Sequence, residues 1–283
     1  MANCILLISC SDQRGITASV TGFVYQHNGN ILSADQHIDE QTNTFFMRIE
    51  WSLDKFTLTR HKIKEQFSPL AAQFRMKWEF YFTDAVSRVA VFVSRHLHCL
   101  ADLLFRYKSG QLSCSIPVIF SNHPDAAKLA RDFRIEYTEL PITKTNKLSQ
   151  ERKQLKILED KRIDLIVLAR YHQILSPAFV KRFENKIINI HHSFLPAFAG
   201  SNPYAQAYQK GVKIIGATSH YVVSKLDQGP IIEQDTVRVS HRDRLEDLRR
   251  KGEDLEKIVL SRSVRWHLTR RVLCYNNKTV IFD

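Results

Sequence analysis

The segment DLIVLARYHQIL (Asp164–Leu175) sets the fold class. Its first six residues are almost wholly apolar, which is typical of a parallel strand covered on both faces. The polar residues after Ala169 mark the exit of this strand into a loop. Ligand sites of open parallel sheets lie at the carboxyl ends of the strands, so this exit is a candidate site. An ordinary helix-entry loop, with Ser176 near a cap and Pro177 in the first turn, is the alternative.

Strand and helix patterns alternate on both sides of this segment, from Val89 onward. This alternation predicts a doubly wound, mostly parallel α/β domain. The tail predicts one or two amphipathic helices over Arg242–His267 and a hairpin over Val272–Phe282. The other predicted strands are Val89–Val93, Ile116–Ser121 and Ile187–Ile190, and the predicted helices are Cys99–Ser109, Asp125–Phe133 and Lys147–Asp160.

The N-terminal part has a different order, β-α-β-β-α-β, which is that of a ferredoxin-like α+β unit. The pattern changes across Tyr81–Arg88, so we predict one domain over 1–82 and a second over 83–283. The predicted strands are Asn3–Cys10, Ile31–Asp39, Thr44–Trp51 and Gln73–Phe80, and the predicted helices are Gly15–His27 and Leu53–Phe67.

Composition narrows the class of protein. The chain has 283 residues, and its 44% apolar and 25% charged residues predict a globular protein rather than a disordered one. No apolar run approaches the roughly 20 residues that span a bilayer, so no membrane partner is expected. MANCILLISC has no basic region in front of its apolar stretch, so it is interpreted as a buried strand and not as a signal peptide. Five scattered cysteines favour a reducing compartment, and a cytoplasmic location is expected.

The net charge of +12 could indicate an anionic ligand or a nucleic acid. No basic run is interleaved with aromatic residues in the manner of a strand-binding groove. We therefore predict a solvated basic surface and no nucleic-acid partner.

Two further stretches carry groups with proton-transfer chemistry. Asn189-Ile-His191-His192 follows a buried strand, and Asp227-Gln-Gly229-Pro230 forms a turn-like segment. Taken separately, each has a structural explanation as a capped strand end or a turn. Neighbouring residues on an extended chain point to opposite faces, so His191 and His192 are not expected to bind one metal ion.

In combination these stretches resemble the folate-dependent formyltransferase family. The matching segments are NIHHSFLPAFAG (189–200), GATSHYV (216–222) and LDQGPII (226–232). The resemblance implies a catalytic trio of Asn189, His191 and Asp227, and a pterin pocket in which His172 stands where Met is more usual. The pocket residues that it implies are Arg170, Tyr171, His172, Ile174, Leu175, Val222, Gly229 and Pro230.

The residue types suit transfer of a formyl group through a tetrahedral oxyanion. Asn189 can donate an amide N–H to the oxyanion, and a protonated His191 can donate a second hydrogen bond. A carboxylate partner raises the pKa of an imidazole, so Asp227 is expected to favour the imidazolium of His191 near neutral pH. The folate is the expected substrate, and no metal or cofactor is expected.

The acceptor of the formyl group is predicted to be water. Family members that formylate a ribonucleotide amine hold its phosphate on a glycine-rich loop, but here the corresponding loop, Ser94–Cys99, has no glycine. Too little chain follows Asp235 for the additional domain of the enzymes that formylate an initiator tRNA. The expected reaction is hydrolysis of 10-formyltetrahydrofolate to formate and tetrahydrofolate.

Two alternatives remain open at this point. A formyltransferase for a small amine or sugar nucleotide could bind its acceptor through the side chains of Arg95, His96 and His98. A non-enzymatic regulator would combine a sensor with a folate-binding module, and it could bind nucleic acid through the net positive charge.

The N-terminal unit resembles the ACT regulatory domain. The resemblance is carried by Cys10-Ser-Asp12-Gln-Arg-Gly15-Ile16 and by His27-Asn-Gly29-Asn30-Ile31, with Ser11 and Arg14 where the family usually has prolines. It implies a homo-oligomer, and either a small amino-acid effector at an interface or a unit that serves dimerisation alone. The implied effector residues are Asp12, Gly15, Ile16 and Asn30.

Overall fold

The chain divides into two compact units in a computed structural model that describes residues 2–196 and 203–283. Unit 1 comprises Met1–Val86 with Thr269–Leu273 and Val280–Asp283, and unit 2 comprises Ser87–Leu268 with Cys274–Thr279. The sequence places a boundary near 82/83 and assigns the whole C-terminal tail to the second domain. In the structure, parts of that tail belong to the first unit.

The elements of unit 1 are β1 (Asn3–Ser11), α1 (Ile16–Gln26), β2 (Asn30–Asp39), β3 (Thr44–Ser52), α2 (Arg60–Gln73) and β4 (Lys77–Phe82). The four strands form an antiparallel sheet in the order β2-β3-β1-β4, as a ferredoxin-like unit requires. Central strand β1 confirms the buried strand predicted within MANCILLISC, and its apolar side chains form the core with Trp51 and Phe67.

The second helix begins later than the sequence predicts. Helical spacing of apolar residues indicates a start at Leu53, but α2 begins at Arg60, after an extended Thr59. Leu53, Phe56 and Leu58 do pack against the core, but they do so from an irregular segment in which Lys55 has a positive φ of 58°. Their apolar spacing therefore reflects burial and not a helix.

The strands of unit 2 are β5 (Ser87–Val93), β6 (Cys114–Ser121), β7 (Glu136–Glu139), β8 (Leu165–Leu168), β9 (Ile187–His191), β10 (Ile214–Tyr221) and β11 (Ile231–Arg238). They form one seven-stranded sheet in the order β11-β10-β9-β8-β5-β6-β7. The pairings from β9 to β7 are parallel, whereas β10 and β11 join as antiparallel strands, so the sheet is mostly parallel as predicted.

Helices connect these strands and cover the sheet. They are α3 (His98–Lys108), a 3₁₀ turn (Pro124–Ala126) that leads into α4 (Ala127–Asp132), α5 (Lys147–Asp160), α6 (Pro177–Arg182), α7 (Pro203–Gln209) and α8 (Leu245–Leu268). The helix entry considered as an alternative for the loop after β8 is present at α6, because the Ser176 side chain accepts a hydrogen bond from the backbone N–H of Phe179. The predicted helical tail is a single helix, α8.

The chain ends in the predicted hairpin, β12 (Val272–Tyr275) and β13 (Lys278–Ile281). Asn276 and Asn277 form its turn with φ values of 42° and 60°, a left-handed conformation that Asn tolerates better than most residues. Within residues 2–196 and 203–283, no helix is long and apolar enough to cross a membrane.

Candidate active site

Strand β9 carries two of the three predicted catalytic residues at the carboxyl edge of the sheet. Asn189 and His191 are two positions apart, so their side chains share one face of the strand. The antiparallel pairing with β10 sets His220 opposite Asn189 and Thr218 opposite His191. The site therefore lies where the parallel part of the sheet meets its antiparallel edge.

The third predicted residue, Asp227, lies beside His191. Its Oδ2 atom is 3.4 Å from Nδ1 of His191. Asp227 has a positive φ of 53°, so its carboxylate is presented from a constrained turn. Nε2 of the His191 ring is buried and has no hydrogen-bond partner among the described residues. The structure thus brings the trio together and leaves one reactive nitrogen of His191 unpaired.

The protonation state of His191 differs from the sequence-based prediction. Burial lowers the pKa of His191 below its ordinary value of 6.5, and this effect outweighs the negative charge of Asp227, which raises it. The predicted influence of Asp227 is present, but the expected imidazolium at neutral pH is wrong. Burial penalises the charged form, and the sequence does not reveal how deeply the ring lies. The neutral imidazole is favoured near neutral pH.

His220 is a fourth member of the cluster that sequence reasoning did not assign. Its Nδ1 atom lies 2.9 Å from the backbone oxygen of Tyr221, which can only accept, so Nδ1 carries a proton. Nε2 of His220 lies 3.3 Å from Nδ2 of Asn189 and 3.6 Å from Oδ1 of Asp227. The contact with His220 is the main cause that lowers the pKa of Asp227, and the His191 ring acts in the same direction when it is protonated. His220 therefore connects two members of the trio.

Gly229 fixes the backbone of the turn that carries Asp227. A Cβ at this position would lie 1.7 Å from the backbone oxygen of Tyr221, so no other residue fits without rearrangement. The next residue, Pro230, accepts a hydrogen bond from the backbone N–H of Tyr221 at 2.9 Å. These two residues, predicted as pocket residues, hold the turn against β10.

A cavity of about 380 Å³ adjoins the trio. Six of the eight predicted pocket residues line it, whereas Gly229 and Pro230 do not. Two of the lining residues, Ile174 and Leu226, expose large apolar side chains to solvent. The six predicted lining residues are Arg170, Tyr171, His172, Ile174, Leu175 and Val222.

The comparison with protein families assigns both parts of the chain. Residues 87–264 match the formyl transferase family model, and residues 5–70 match the ACT domain model. A formyltetrahydrofolate deformylase of Synechocystis sp. is 55% identical over 277 residues, covering 98% of this chain and 97% of the relative. The chain belongs to the formyltetrahydrofolate deformylase family. The Bacillus subtilis member is 46% identical over 279 residues, covering 98% of this chain and 93% of its own.

A solved structure agrees with this family assignment. The crystal structure of a formyltetrahydrofolate deformylase from Pseudomonas syringae pv. tomato str. DC3000 superposes with a TM-score of 0.98 at 44% identity. The superposition covers 100% of this chain and 95% of the other. The predicted fold class and the predicted family are thereby confirmed.

The predicted effector residues of the ACT domain do not form one cluster within a chain. Asp12, Gly15 and Ile16 follow the end of β1, and Gly15 has a positive φ of 92°. The side chain of Ile16 is buried in the core, so only its backbone is available to a ligand. Asn30 pairs with Ser52 of β3, whereas Ser11 at the end of β1 pairs with Thr44 of the same strand. Ser52 and Thr44 are eight residues apart, which corresponds to about 26 Å along a strand. A site that uses all four residues requires two copies of the chain.

Proposed function

We propose that this chain is a hydrolase that converts 10-formyltetrahydrofolate and water into formate and tetrahydrofolate. The main support for the proposal is the geometry around the His191 ring. Its Nδ1 faces Asp227 at 3.4 Å, and its buried Nε2 has no partner among the described residues. A neutral imidazole with one nitrogen oriented by a carboxylate and the other unpaired is suited to remove a proton from water.

In the first step, Nε2 of His191 accepts a proton while the water oxygen bonds to the formyl carbon. The carbonyl electron pair moves to oxygen and gives a tetrahedral oxyanion. Asp227 supports this step because its negative charge favours the imidazolium that forms. The lowered pKa of His191 keeps the imidazole available as the base at neutral pH.

Asn189 stabilises the oxyanion. Nδ1 of His220 is committed to the Tyr221 carbonyl, so Nε2 of His220 is free to accept one N–H of the Asn189 amide. This contact fixes the amide and leaves its second N–H for the oxyanion. A preoriented donor of this type stabilises the transition state without reorganisation during the reaction.

The second step returns the proton. The tetrahedral intermediate collapses, the bond between carbon and the folate nitrogen breaks, and imidazolium His191 gives its proton to that nitrogen. Formate leaves as the anion and releases one proton to solvent. His191 is neutral again, so the cycle needs no further proton donor.

The cavity beside the trio suits a folate. A pterin ring is flat and largely apolar on its faces, and Ile174 and Leu226 offer exposed apolar surface at the cavity. Val222 and Leu175 line it as well. Hydrophobic walls with a few oriented polar groups are typical of small-molecule sites. We therefore place the pterin among these side chains, with the formyl group toward Asn189 and His191.

Formate release without an amine tests the reaction. Purified protein is incubated with 10-formyltetrahydrofolate, and formate and tetrahydrofolate are both measured. Equal amounts of the two products are expected when no amine is added. Tetrahydrofolate that appears only with an added amine, together with the formylated amine and without free formate, would instead establish a transferase.

We propose in addition that the ACT unit pairs side by side with a second copy and binds a small amino acid at that interface. Support comes from β2, an edge strand with exposed Leu32 and Ile38, and from the separation of Asn30 from Gly15 within one chain. Antiparallel pairing of two β2 edges would bring Asn30 of one copy toward the Gly15 end of the other.

Sedimentation and a panel of amino acids test this second proposal. A dimer or larger assembly is expected, and one small amino acid is expected to change the rate of formate release. A monomer would contradict the pairing. Dimerisation with no response to any amino acid would show that the ACT unit serves assembly alone.

The five cysteines have free thiols, which supports our proposal of a reducing, cytoplasmic location.

A further inference from the structure

A buried carboxylate outside the trio is held by three side chains. Glu256 lies on α8 and is fully buried. Its Oε2 atom is 2.8 Å from Nε2 of His98 and 3.4 Å from Nε of Arg170. Its Oε1 atom accepts a hydrogen bond of 2.5 Å from the hydroxyl of Tyr204. These partners compensate for the burial of the carboxylate, because an unpaired charge is costly to bury.

Glu256 is an anion in this environment. Burial alone would raise its pKa, but the hydrogen bond from His98 and the positive charge of Arg170 outweigh burial and lower the pKa below its ordinary value. The close approach of Tyr204 depends on Gly252, one turn earlier on α8. A Cβ at position 252 would lie 2.2 Å from the Tyr204 hydroxyl oxygen.

These residues surround a second chamber of about 510 Å³. Arg170, His172 and His192 line both this chamber and the cavity beside the trio, so the two spaces adjoin. The second chamber is the neighbouring space from which an acceptor could approach the formyl group. Arg170 and Arg249 in its wall would attract an anionic acceptor if their charge were not offset.

We propose that Glu256 is a specificity-determining residue: it is an internal counter-anion that pairs with Arg170 and forms a hydrogen bond with His98, keeps anionic acceptors out of the second chamber, and thereby reserves the reaction for water. This inference rests on the proposed hydrolase function and explains how the choice of acceptor is made. An anionic acceptor would have to displace or approach a buried negative charge, whereas neutral water does neither. The exclusion is electrostatic and does not depend on the size of the acceptor.

A metal site is the competing explanation for the same side chains. Ligand atoms of His98, Cys99 and Glu256 all lie within 4.8 Å of one another. Burial, however, raises the pKa of the Cys99 thiol well above its ordinary value, so the thiolate that a metal requires is disfavoured. Metal analysis of the purified protein separates the two explanations, because one bound ion per chain at these residues would overturn the role of Glu256 as a counter-anion.

The decisive variant is Glu256→Gln, which keeps the shape of the side chain and removes its charge. Inorganic phosphate is the probe, and its binding is measured by calorimetry together with its inhibition of formate release. In the wild type, millimolar phosphate is expected neither to bind in the chamber nor to inhibit. In Glu256→Gln, Arg170 loses its counter-anion, so phosphate should bind about tenfold more tightly or better.

Two further variants serve as matched controls. Glu253→Gln removes the same charge from the same chamber and helix. Its effect on phosphate binding should be much smaller, because Glu256 still holds Arg170. Glu256→Asp keeps the charge and should remain insensitive to phosphate. If Glu256→Gln does not fold, phosphate binding by Glu256→Asp still tests whether the negative charge excludes phosphate.

Several outcomes would overturn the inference. They are tight phosphate binding by the wild type, equal responses of Glu253→Gln and Glu256→Gln, and phosphate binding by Glu256→Asp as tight as by Glu256→Gln. Failure of the proposed reaction is distinguishable, because it appears as a wild type that releases no formate. Calorimetry with phosphate still reports on Glu256 in that case.

Discussion

Nδ1 of His191 lies 3.4 Å from Oδ2 of Asp227, while Nε2 of the same ring is buried without a partner among the described residues. The carboxylate therefore orients the ring and raises its pKa, whereas burial lowers that pKa further than the carboxylate raises it. The balance leaves His191 neutral near neutral pH. A neutral ring can act as a base and accept a proton from water.

Asp227→Asn should bind 10-formyltetrahydrofolate but lose most turnover. The amide can accept a hydrogen bond from Nδ1–H of His191, but it does not stabilise the imidazolium that forms when water is deprotonated. We expect kcat to fall by about 10²-fold or more with little change in folate affinity. Asp160→Asn makes the same atomic change at an exposed helix end and is the control. Wild-type turnover in Asp227→Asn would remove the carboxylate from the mechanism.

The pH dependence of kcat/KM should report His191 acting as a base. Activity should be low where the ring is protonated, rise with pH through a pKa below 6.5, and then level off. Because Asp227 raises the pKa of His191, Asp227→Asn should move this rise to lower pH and also lower the plateau. A rate that falls as pH increases above 6.5 would mean that the imidazolium is the active form.

Asn189 and His220 should act as one unit. Asn189→Ala should lower kcat by about 10²–10³-fold, because it removes an oxyanion donor. His220→Phe removes the group that orients Asn189 and contacts Asp227, together with its hydrogen bond to the Tyr221 backbone, so a loss of about 10- to 100-fold is expected. The double variant should be little worse than Asn189→Ala alone, since the two residues share one interaction. Fully additive losses would show that they act separately.

Gly229→Ala should destabilise the turn that carries Asp227. Its Cβ would lie 1.7 Å from the Tyr221 backbone oxygen, and backbone cannot move aside as a flexible side chain can. We expect a loss of about 3 kcal/mol or more in the free energy of unfolding of unit 2, together with a loss of turnover. Gly22→Ala is the control, because nothing lies within 4 Å of its Cβ on α1 and Ala favours a helix. Equal thermal stability of the two variants would contradict this account of the turn.

The parallel strands of unit 2 and the approximate position of the site could be predicted from the sequence. The apolar runs 165–168 in β8 and 89–93 in β5 are fully buried, as expected for parallel strands covered on both faces, and polar exits from such strands converge at one edge. Strand β10 could not be predicted in the same way. Thr218, Ser219 and His220 are buried there although they are polar, so hydrophobic alternation is absent.

Burial also explains which features of the site could not be predicted from the sequence. His220 is part of the cluster because strand pairing sets it opposite Asn189, and a pairing register is not readable from one polar strand. Glu256 lies in an amphipathic helix, where a glutamate is ordinarily expected on the solvent face. The sequence predicts that Asp227 raises the pKa of His191, but it does not show how deeply the ring is buried and therefore that burial lowers the pKa further. Each omission concerns a polar group enclosed by the fold.

Isotope incorporation from water tests the central claim most directly. The reaction of the wild-type protein is run in ¹⁸O-labelled water without any amine, and the released formate is analysed by mass spectrometry. We predict that each formate carries one labelled oxygen from water and one unlabelled oxygen from the formyl group, and that formate formation is suppressed in His191→Gln. Unlabelled formate, or the same rate of labelled formate in His191→Gln, would contradict attack by water activated at His191.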